Sequence, residues 1–307
     1  MKKVLILLSH FNGQQYLTEQ LNSLFAQEGV SIHVFVRDDG SSTSMGMDII
    51  RVFESKGYPI SYIEGKNVGF AMSFSQLIYK AYTDAGDFDY FAFCDQDDVW
   101  LPDKLLSAVQ ALDKRNAIVS SEPIMYCSAT SPVNSMLKPI RKKKRESIPK
   151  ITKEKSLIHN CATGCTIVFN RKALQLYATH MPKELFAHDF MMYQLCVFFG
   201  QVIYDPVSHI MYRQHEKNQI GTKNFMGRMR ERMNYNSHKG TLQLQGERFL
   251  SLYKDLMTVE DIHIISRLAF YHDNIFSKLL LLFNSKYRYN NMESNFFFIL
   301  KVLIGSR

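Results

Sequence analysis

The sequence predicts an α/β fold, with a mainly parallel sheet followed by a C-terminal helical extension. Three observations predict it. Short apolar runs without alternation recur at residues 4–8, 32–36, 60–63 and 90–93, as expected for strands covered on both faces. The segments between them carry apolar residues at helical spacing, and this β-α-β-α-β-α-β order implies parallel strands joined by right-handed crossovers. Beyond Gly221 the pattern becomes helical. The expected division is a sheet domain over residues 1–220 and a helical region over 221–307.

Each element has a local reason. After the first strand, Asn12-Gly13 turns the chain into a helix over 14–27, with Tyr16, Leu17, Leu21, Leu24 and Phe25 on one face. Strand two ends in Arg37-Asp38-Asp39-Gly40-Ser41, and a helix over 48–56 turns Ile49, Ile50, Val52 and Phe53 inward. Strand three leads to Gly65-Lys66-Asn67-Val68-Gly69, a helix over 70–82 and strand four. A helix over 102–112 precedes a mixed strand and loop region at 117–129. Later apolar runs predict strands at 165–169, 201–205 and 209–212, with helices at 170–177 and 188–199. A helical stretch over 261–283 and an aromatic tail over 295–304 complete the chain.

Composition bounds the class of molecule. At 307 residues and 46% hydrophobic, the chain is long enough for one large α/β domain with an appendage. A formal net charge of +8 suits an anionic partner. No recognised nucleic-acid motif accompanies the charge, so no nucleic-acid partner is expected. The five cysteines form no regular framework and read as reduced thiols. The apolar part of the N-terminal run, five residues at 4–8, is shorter than the h-region of a signal peptide. No stretch reaches the ~18 apolar residues that span a bilayer.

The motif with most chemistry is Cys94-Asp95-Gln96-Asp97-Asp98-Val99-Trp100, where three carboxylates follow a buried strand. They repel one another unless a cation lies among them, and hard ions such as Mg²⁺ or Mn²⁺ take carboxylate oxygens together with substrate phosphates. Ligands in open α/β sheets bind outside the strands' carboxyl ends. The bland reading is an acidic loop capping the next helix. Asp38-Asp39-Gly40-Ser41 repeats the pattern: it is either a nucleoside-binding carboxylate pair or a plain Asx-turn. No G-x-G-x-x-G and no G-x-x-x-x-G-K-[ST] is present, which disfavours a dinucleotide fold and excludes a P-loop.

Three further stretches stay open between two readings. Residues 138–155 hold nine Lys or Arg against Glu146 and Glu154, as a solvated loop or as a flap over phosphates or lipid. Asp189, after His188 at a helix start, is a cap or a catalytic base. The basic and aromatic residues after Gly221 suit a membrane surface, or helices packed on the main domain.

Taken together, Asp38-Asp39-Gly40-Ser41, Asn67-x-Gly69, Asp95-Gln96-Asp97-Asp98-Val99-Trp100, Gly164, His188-Asp189 and Tyr212-Arg213-Gln214-His215 resemble family 2 glycosyltransferases of the GT-A fold. The likeness covers about residues 1–220 and is greatest to bacterial rhamnosyltransferases of cell-wall and capsular polysaccharides. It implies an inverting, metal-dependent transferase using Mg²⁺ or Mn²⁺, with a nucleotide-sugar donor (dTDP-L-rhamnose first, UDP-hexoses or UDP-N-acetylhexosamines next). It implies a lipid-linked saccharide acceptor and a cytoplasmic protein peripherally associated with the membrane, with homo-oligomers admissible. By resemblance, Asp38, Asp39, Asn67, Asp95 and Arg213 bind the donor. Asp97 and His215 serve the metal, with Asp98 a neighbouring candidate; Gly164 and His188 lie on the acceptor side, and Asp189 is the base. Ser42-Thr43-Ser44 and Tyr126-Cys127-Ser128 depart from the family pattern where an Asp is frequent. The other readings are a nucleotidyltransferase, which usually presents a Gly-rich basic loop after strand one, and a non-catalytic scaffold.

Overall fold

The computed structural model describes residues 1–84, 86–119, 121–140, 148–214, 241–273, 275–289 and 292–304. The chain divides into two compact units, Met1–Pro149 with Ala162–His215, and Lys150–Cys161 with Glu216–Arg307.

The first unit opens with β1 (Lys2–His10), α1 (Gln14–Phe25), β2 (Val30–Asp38), α2 (Met45–Ser55), β3 (Ile60–Glu64), α3 (Phe70–Asp84) and β4 (Tyr90–Cys94). It continues with β5 (Val99–Trp100), α4 (Lys104–Asn116) and β6 (Ile124–Val133), then β7 (Val168–Asn170), α6 (Arg171–Thr179), α7 (His188–Phe199) and β8 (Gln201–Arg213). A single turn, α5 (Lys153–Ser156), belongs to the second unit. The sheet order is β3-β2-β1-β4-β7-β6-β8-β5. Its first four strands are parallel, as the alternating pattern requires. Leu17, Leu21 and Leu24 of α1 and Ile50 of α2 are fully buried, joining Val4, Ile6, Leu8, Val34 and Val36 in one core.

Register decides where the chemistry lies. His10 pairs with Asp38, Leu8 with Cys94 and Asp38 with Glu64, so β1, β2, β3 and β4 all end on one edge. The loops that follow them therefore emerge side by side. β7 then enters the sheet antiparallel between β4 and β6, so the residues just before it lie beside the end of β4. Phe93 N–H donates to Ile167 O at 3.1 Å and continues that contact toward the acidic loop.

Two expectations are corrected here. The run 165–169 is not one strand: Gly164–Thr166 forms a 3₁₀ turn, and Thr166 N–H and Oγ1 bond back to Thr163 O at 2.9 and 2.7 Å. The runs 201–205 and 209–212 are one strand, β8, which absorbs its irregularity as register shifts against β6 between Ser128 and Ser131. Its far end pairs with β5, Met211 with Val99 and Ile210 with Trp100, which returns Arg213 to the acidic loop. All five cysteines are free thiols.

The second unit holds helices Thr241–Tyr253, Val259–Ala269, Ile275–Phe283 and Met292–Ile304. The predicted continuous helix over 261–283 is broken, because the first of its two parts ends at Ala269 with Phe270 N–H on Ser266 O. Thr258 and Asp261 form a reciprocal capping box at the start of Val259–Ala269. Lys153 reaches Asp261 at 2.6 Å, and Tyr289 Oη donates to Ile158 O at 2.6 Å, which ties residues 150–161 to the helices.

Gly40 sits at φ +75°, and a Cβ there would lie 2.7 Å from Asn67 N. Gly57 has a similar φ, +82°, with nothing within 4 Å of its Cβ position. Left-handed backbone costs a non-glycine residue about 1–3 kcal/mol. Gly40→Ala should therefore lower the melting temperature clearly more than Gly57→Ala, and equal losses in thermal melts would remove the steric role of Gly40.

Candidate active site

The acidic loop between β4 and β5 is held from both sides. The Gln96 amide accepts from Phe11 N at 2.9 Å and donates to Phe11 O at 3.1 Å, stitching it to the loop after β1. On the other side, Arg213 N–H donates to Asp98 Oδ1 at 2.9 Å and Arg213 Nε to Asp97 O at 2.6 Å. The remaining guanidinium nitrogens bond Ser135 O and Glu19, and the group lies over the Tyr16 ring at 4.6 Å. Arg213, expected at the donor diphosphate, is 2% exposed and cross-links the loop backbone.

This rigid loop concentrates like charges. Burial, then the carboxylates of Asp98, Asp97 and Asp189, push the Asp95 carboxyl well above its ordinary range. Burial and the Asp97 charge raise Asp98 to about 7, against the Arg213 N–H that favours its ionised form. Asp98 Oδ2 is buried with no hydrogen bond of ordinary geometry among the described residues, and the weak donor Cys165 Sγ lies near the carboxyl group. Ligand atoms of Asp95, Asp98 and Cys165 lie within 4.8 Å of one another. Burial pushes the Cys165 thiol up and the neighbouring carboxylates reinforce it, so it stays protonated. Lys104 lies beneath, buried 3.2 Å from the Trp100 ring centroid, its ammonium lowered to about 8 by desolvation. The Tyr212 hydroxyl, also raised by burial, is close enough to feel Cys165, Asp95, Asp98 and Asp97.

Asp189 stands in the first turn of α7, where its Oδ1 accepts from Phe190 N at 2.7 Å. Its charge acts on both Asp95 and Tyr177, which places it with the acidic loop. The Cβ position of Gly164 lies 3.3 Å from His188 Nε2 and 3.4 Å from Asp189 Cβ, so Gly164, His188 and Asp189 are together. His188 stacks on Phe74 at 3.9 Å and meets Phe93 edge-on at 4.7 Å. Burial holds it neutral, with a pKa near 3, and neither ring nitrogen has a partner among the described residues.

The expected donor side forms a separate group of contacts. Asp38 accepts from Ser41 N at 3.0 Å and Ser41 Oγ at 2.5 Å, the Asx-turn arrangement. Asp39 is almost wholly buried and accepts from Arg37 Nη1 at 2.5 Å, Val68 N at 2.9 Å and Gly69 N at 3.0 Å. It thus fastens the loop that presents Asn67, which is exposed. Asn12 Oδ1 accepts from Ser42 N and Oγ, both at 2.9 Å, and locks the loops after β1 and β2 together. His215 lies outside the described residues.

Sequence reasoning missed Gln96, Cys165, Lys104 and Glu19 as parts of this site. Only Gln96 carried a signal, its place inside the acidic motif. The others arrive through the antiparallel entry of β7 and the packing of α1 and α4.

The arrangement offers carboxylate oxygens of the kind a hard cation takes, with the Asp189 charge acting on the same group. A parallel half-sheet, an antiparallel insertion and acidic loops at the strand ends define a GT-A glycosyltransferase. The chain belongs to Glycosyl transferase family 2, whose profile matches residues 5–177. It is 28% identical over 226 residues to dTDP-rhamnosyl transferase RfbG of Shigella flexneri, covering 70% of this chain and 73% of that protein. Its fold matches residues 1–349 of S. aureus TarS in complex with UDP-GlcNAc, with TM-score 0.58, 16% identity, and 99% and 80% of the two chains covered. It also matches mannosyltransferase PcManGT from Pyrobaculum calidifontis in complex with GDP-Man and Mn²⁺, with TM-score 0.51, 14% identity, and 99% and 88% covered.

The neutral His188 has a consequence for stability. A folded pKa near 3, against about 6.5 unfolded, means the unfolded chain binds more protons between those values. Stability should fall as pH drops below about 6.5, by an amount on the order of a few kcal/mol near pH 3. His188→Phe should flatten that part of the pH–stability curve in denaturant melts. An unchanged slope would show that His188 does not titrate in this way.

Proposed function

We propose that the chain transfers a sugar from a nucleoside diphosphate to a hydroxyl of a growing, lipid-linked cell-surface polysaccharide, with inversion at the anomeric carbon. L-rhamnose from dTDP-L-rhamnose is the donor of choice, supported by the likeness to the dTDP-rhamnosyl transferase. The work is done by a cytoplasmic protein at the membrane's inner face. The observation that supports the reading is that Asp189 lies beside Gly164, the sequence neighbour of Cys165, whose thiol groups with Asp95 and Asp98.

The acidic loop fits a divalent cation: three carboxylates, two of them raised by burial and then by neighbouring carboxylate charge, and one buried oxygen lacking an ordinary hydrogen bond. Asp95, Asp97 and Asp98 would hold Mg²⁺ or Mn²⁺, the hard ions suited to oxygen ligands, and His215 is a further candidate. When bound, the ion neutralises charge that develops on the departing diphosphate. The chain does the rest. Asp38 and Asp39 shape the pocket for the nucleoside, and Asn67 presents its amide from the loop that Asp39 fastens. Arg213 keeps Asp97 and Asp98 in place through their backbone and side-chain oxygens. Asp189 accepts the proton of the acceptor hydroxyl as that oxygen bonds to the anomeric carbon. The bond from that carbon to the diphosphate oxygen breaks, and its electron pair leaves with the nucleoside diphosphate. Gly164 lets His188 and Asp189 approach the chain closely on the acceptor side, where His188 is a neutral aromatic wall.

Asp189→Asn keeps shape and capping but cannot accept the proton. We expect near-normal melting and donor affinity with at least a hundredfold loss of transfer, since a general base contributes 10²–10⁴-fold, about 3–5 kcal/mol of barrier. Transfer near the wild-type rate, followed as nucleoside diphosphate release with acceptor, would rule Asp189 out. Exhaustive chelation should abolish turnover, and Mg²⁺ or Mn²⁺ should restore it. Asp97→Ala should weaken metal-dependent donor binding in calorimetry, and an unchanged metal response would move that role to Asp95 or Asp98.

A further inference from the structure

Two helices of the second unit each keep one apolar face uncovered. On Ile275–Phe283 the exposed side chains are Ile275, Phe276, Leu279, Leu280 and Phe283, with Phe276 67% and Phe283 84% exposed. At 3.6 residues per turn they fall within an arc of about 140°, while the fully buried Leu281 points the other way. On Met292–Ile304 the exposed residues Met292, Phe296, Leu300 and Leu303 fall within about 80°, opposite buried Phe298 and Val302. Scattered exposed apolar residues need no explanation, but two one-sided stripes on helices that touch each other do.

Charge separates the possible occupants. The second unit holds 17 Lys and Arg against nine Asp and Glu, whereas the first holds 20 of each, so the whole net charge of +8 belongs to the second unit. A second copy would bring the same positive charge against itself. An anionic lipid surface would attract it, each Lys or Arg near the surface adding to the attraction. A cavity of about 250 Å³ adds an independent observation. His263, Ser266, Arg267 and Ser277 line it, together with the opposing carboxylate of Asp273 and with Leu280 of the exposed stripe. Cationic and hydroxyl donors thus open directly beside the apolar face, as an acyl chain joined to a phosphate headgroup requires. Among the described residues no helix is long and apolar enough to cross a membrane. A helix with one strongly apolar face lies in the interface instead.

We infer that the second unit docks on an anionic bilayer through the exposed faces of helices Ile275–Phe283 and Met292–Ile304, with the Arg267 cavity taking a lipid headgroup phosphate. This deepens the peripheral membrane association proposed above and rests on it. The full chain is tested against vesicles of phosphatidylcholine alone and of phosphatidylcholine with phosphatidylglycerol. Sedimentation should retain the protein on the anionic vesicles and far less on the neutral ones. Retention should fall with salt, as the Debye length shrinks from about 10 Å at 0.1 M to about 3 Å at 1 M. The double variant Phe276→Ser, Phe283→Ser changes only exposed positions, so it should melt as wild type yet bind at least tenfold more weakly, because two Phe side chains no longer leave water on docking. In Phe283→Trp, a new indole joins the single Trp100, which is 2% exposed and buried in the core of the first unit. Its emission should shift to the blue on anionic vesicles and be quenched by brominated lipid. Wild-type retention by the double variant, or an indole that does not respond to lipid, would overturn the inference. So would a dimer that the double variant dissociates while vesicles bind neither protein. Nucleoside diphosphate release without vesicles reports on the transferase reading alone and should be unchanged in the double variant.

Discussion

The structure at the sheet's carboxyl edge depends on one constraint: Asp95, half-buried, and Asp98, buried, lie near the charge of Asp97, with Asp189 also acting on Asp95, so burial and then like charge raise the proton affinity of these two carboxyls. Two unit charges 5 Å apart repel by about 3 kcal/mol at an effective dielectric of 20. The Arg213 charge is paired with Glu19, and its bonds to the loop go to Asp97 O and, through the backbone N–H, to Asp98. Lys104 sits below, above the Trp100 ring rather than on a carboxylate. The scaffold thus fixes the geometry of the cluster from both sides of the loop.

That geometry follows from strand register. β1, β2 and β4 end level, so the Asn12, Ser41 and Gln96 loops meet and can lock through Asn12 Oδ1 and the Gln96 amide. β7 enters antiparallel and sets Gly164 and Cys165 beside the acidic loop, while α7 starts with His188 and Asp189 against them. The stacking of His188 between Phe74 and Phe93 anchors that helix start without adding charge. Held neutral by burial, His188 brings no positive charge to the helix start.

Much of this was legible in the sequence, for reasons that particular residues show. Doubly covered parallel strands leave unbroken apolar runs, so β1 to β4 and the three helices between them were readable from periodicity alone. The acidic loop was readable because like charges beyond a buried strand demand a partner. The antiparallel half was not. The turn at Gly164–Thr166 is apolar for packing, not for pairing, and so reads like a strand. β8 hides its continuity behind the irregularity at Asp205–Ser208, where two runs look separate. Arg213 appeared as a donor for phosphate oxygens because its type is right for that. Its burial against Tyr16, Glu19 and Ser135 depends on α1 and on the loop after β6, which lie far away in sequence. Cys165 joins the carboxylates for a similar reason, since only the strand order brings it near Asp98.

The claim that this cluster is a compensated site for a divalent ion and a nucleoside diphosphate is tested most directly by calorimetric melting of the whole chain. Melting is followed with Mn²⁺ alone, with dTDP or UDP alone, and with metal and nucleotide together. A ligand at 100 times its Kd adds about 2.7 kcal/mol to the folded state. Domains of 150–250 residues gain roughly 2–4 °C per kcal/mol, so a shift of several degrees is expected. The account predicts that metal and nucleotide together raise the melting temperature by more than their separate shifts combined, and that Asp95→Asn with Asp98→Asn abolishes the excess. No shift with any combination, or the same excess in the double variant, would contradict it.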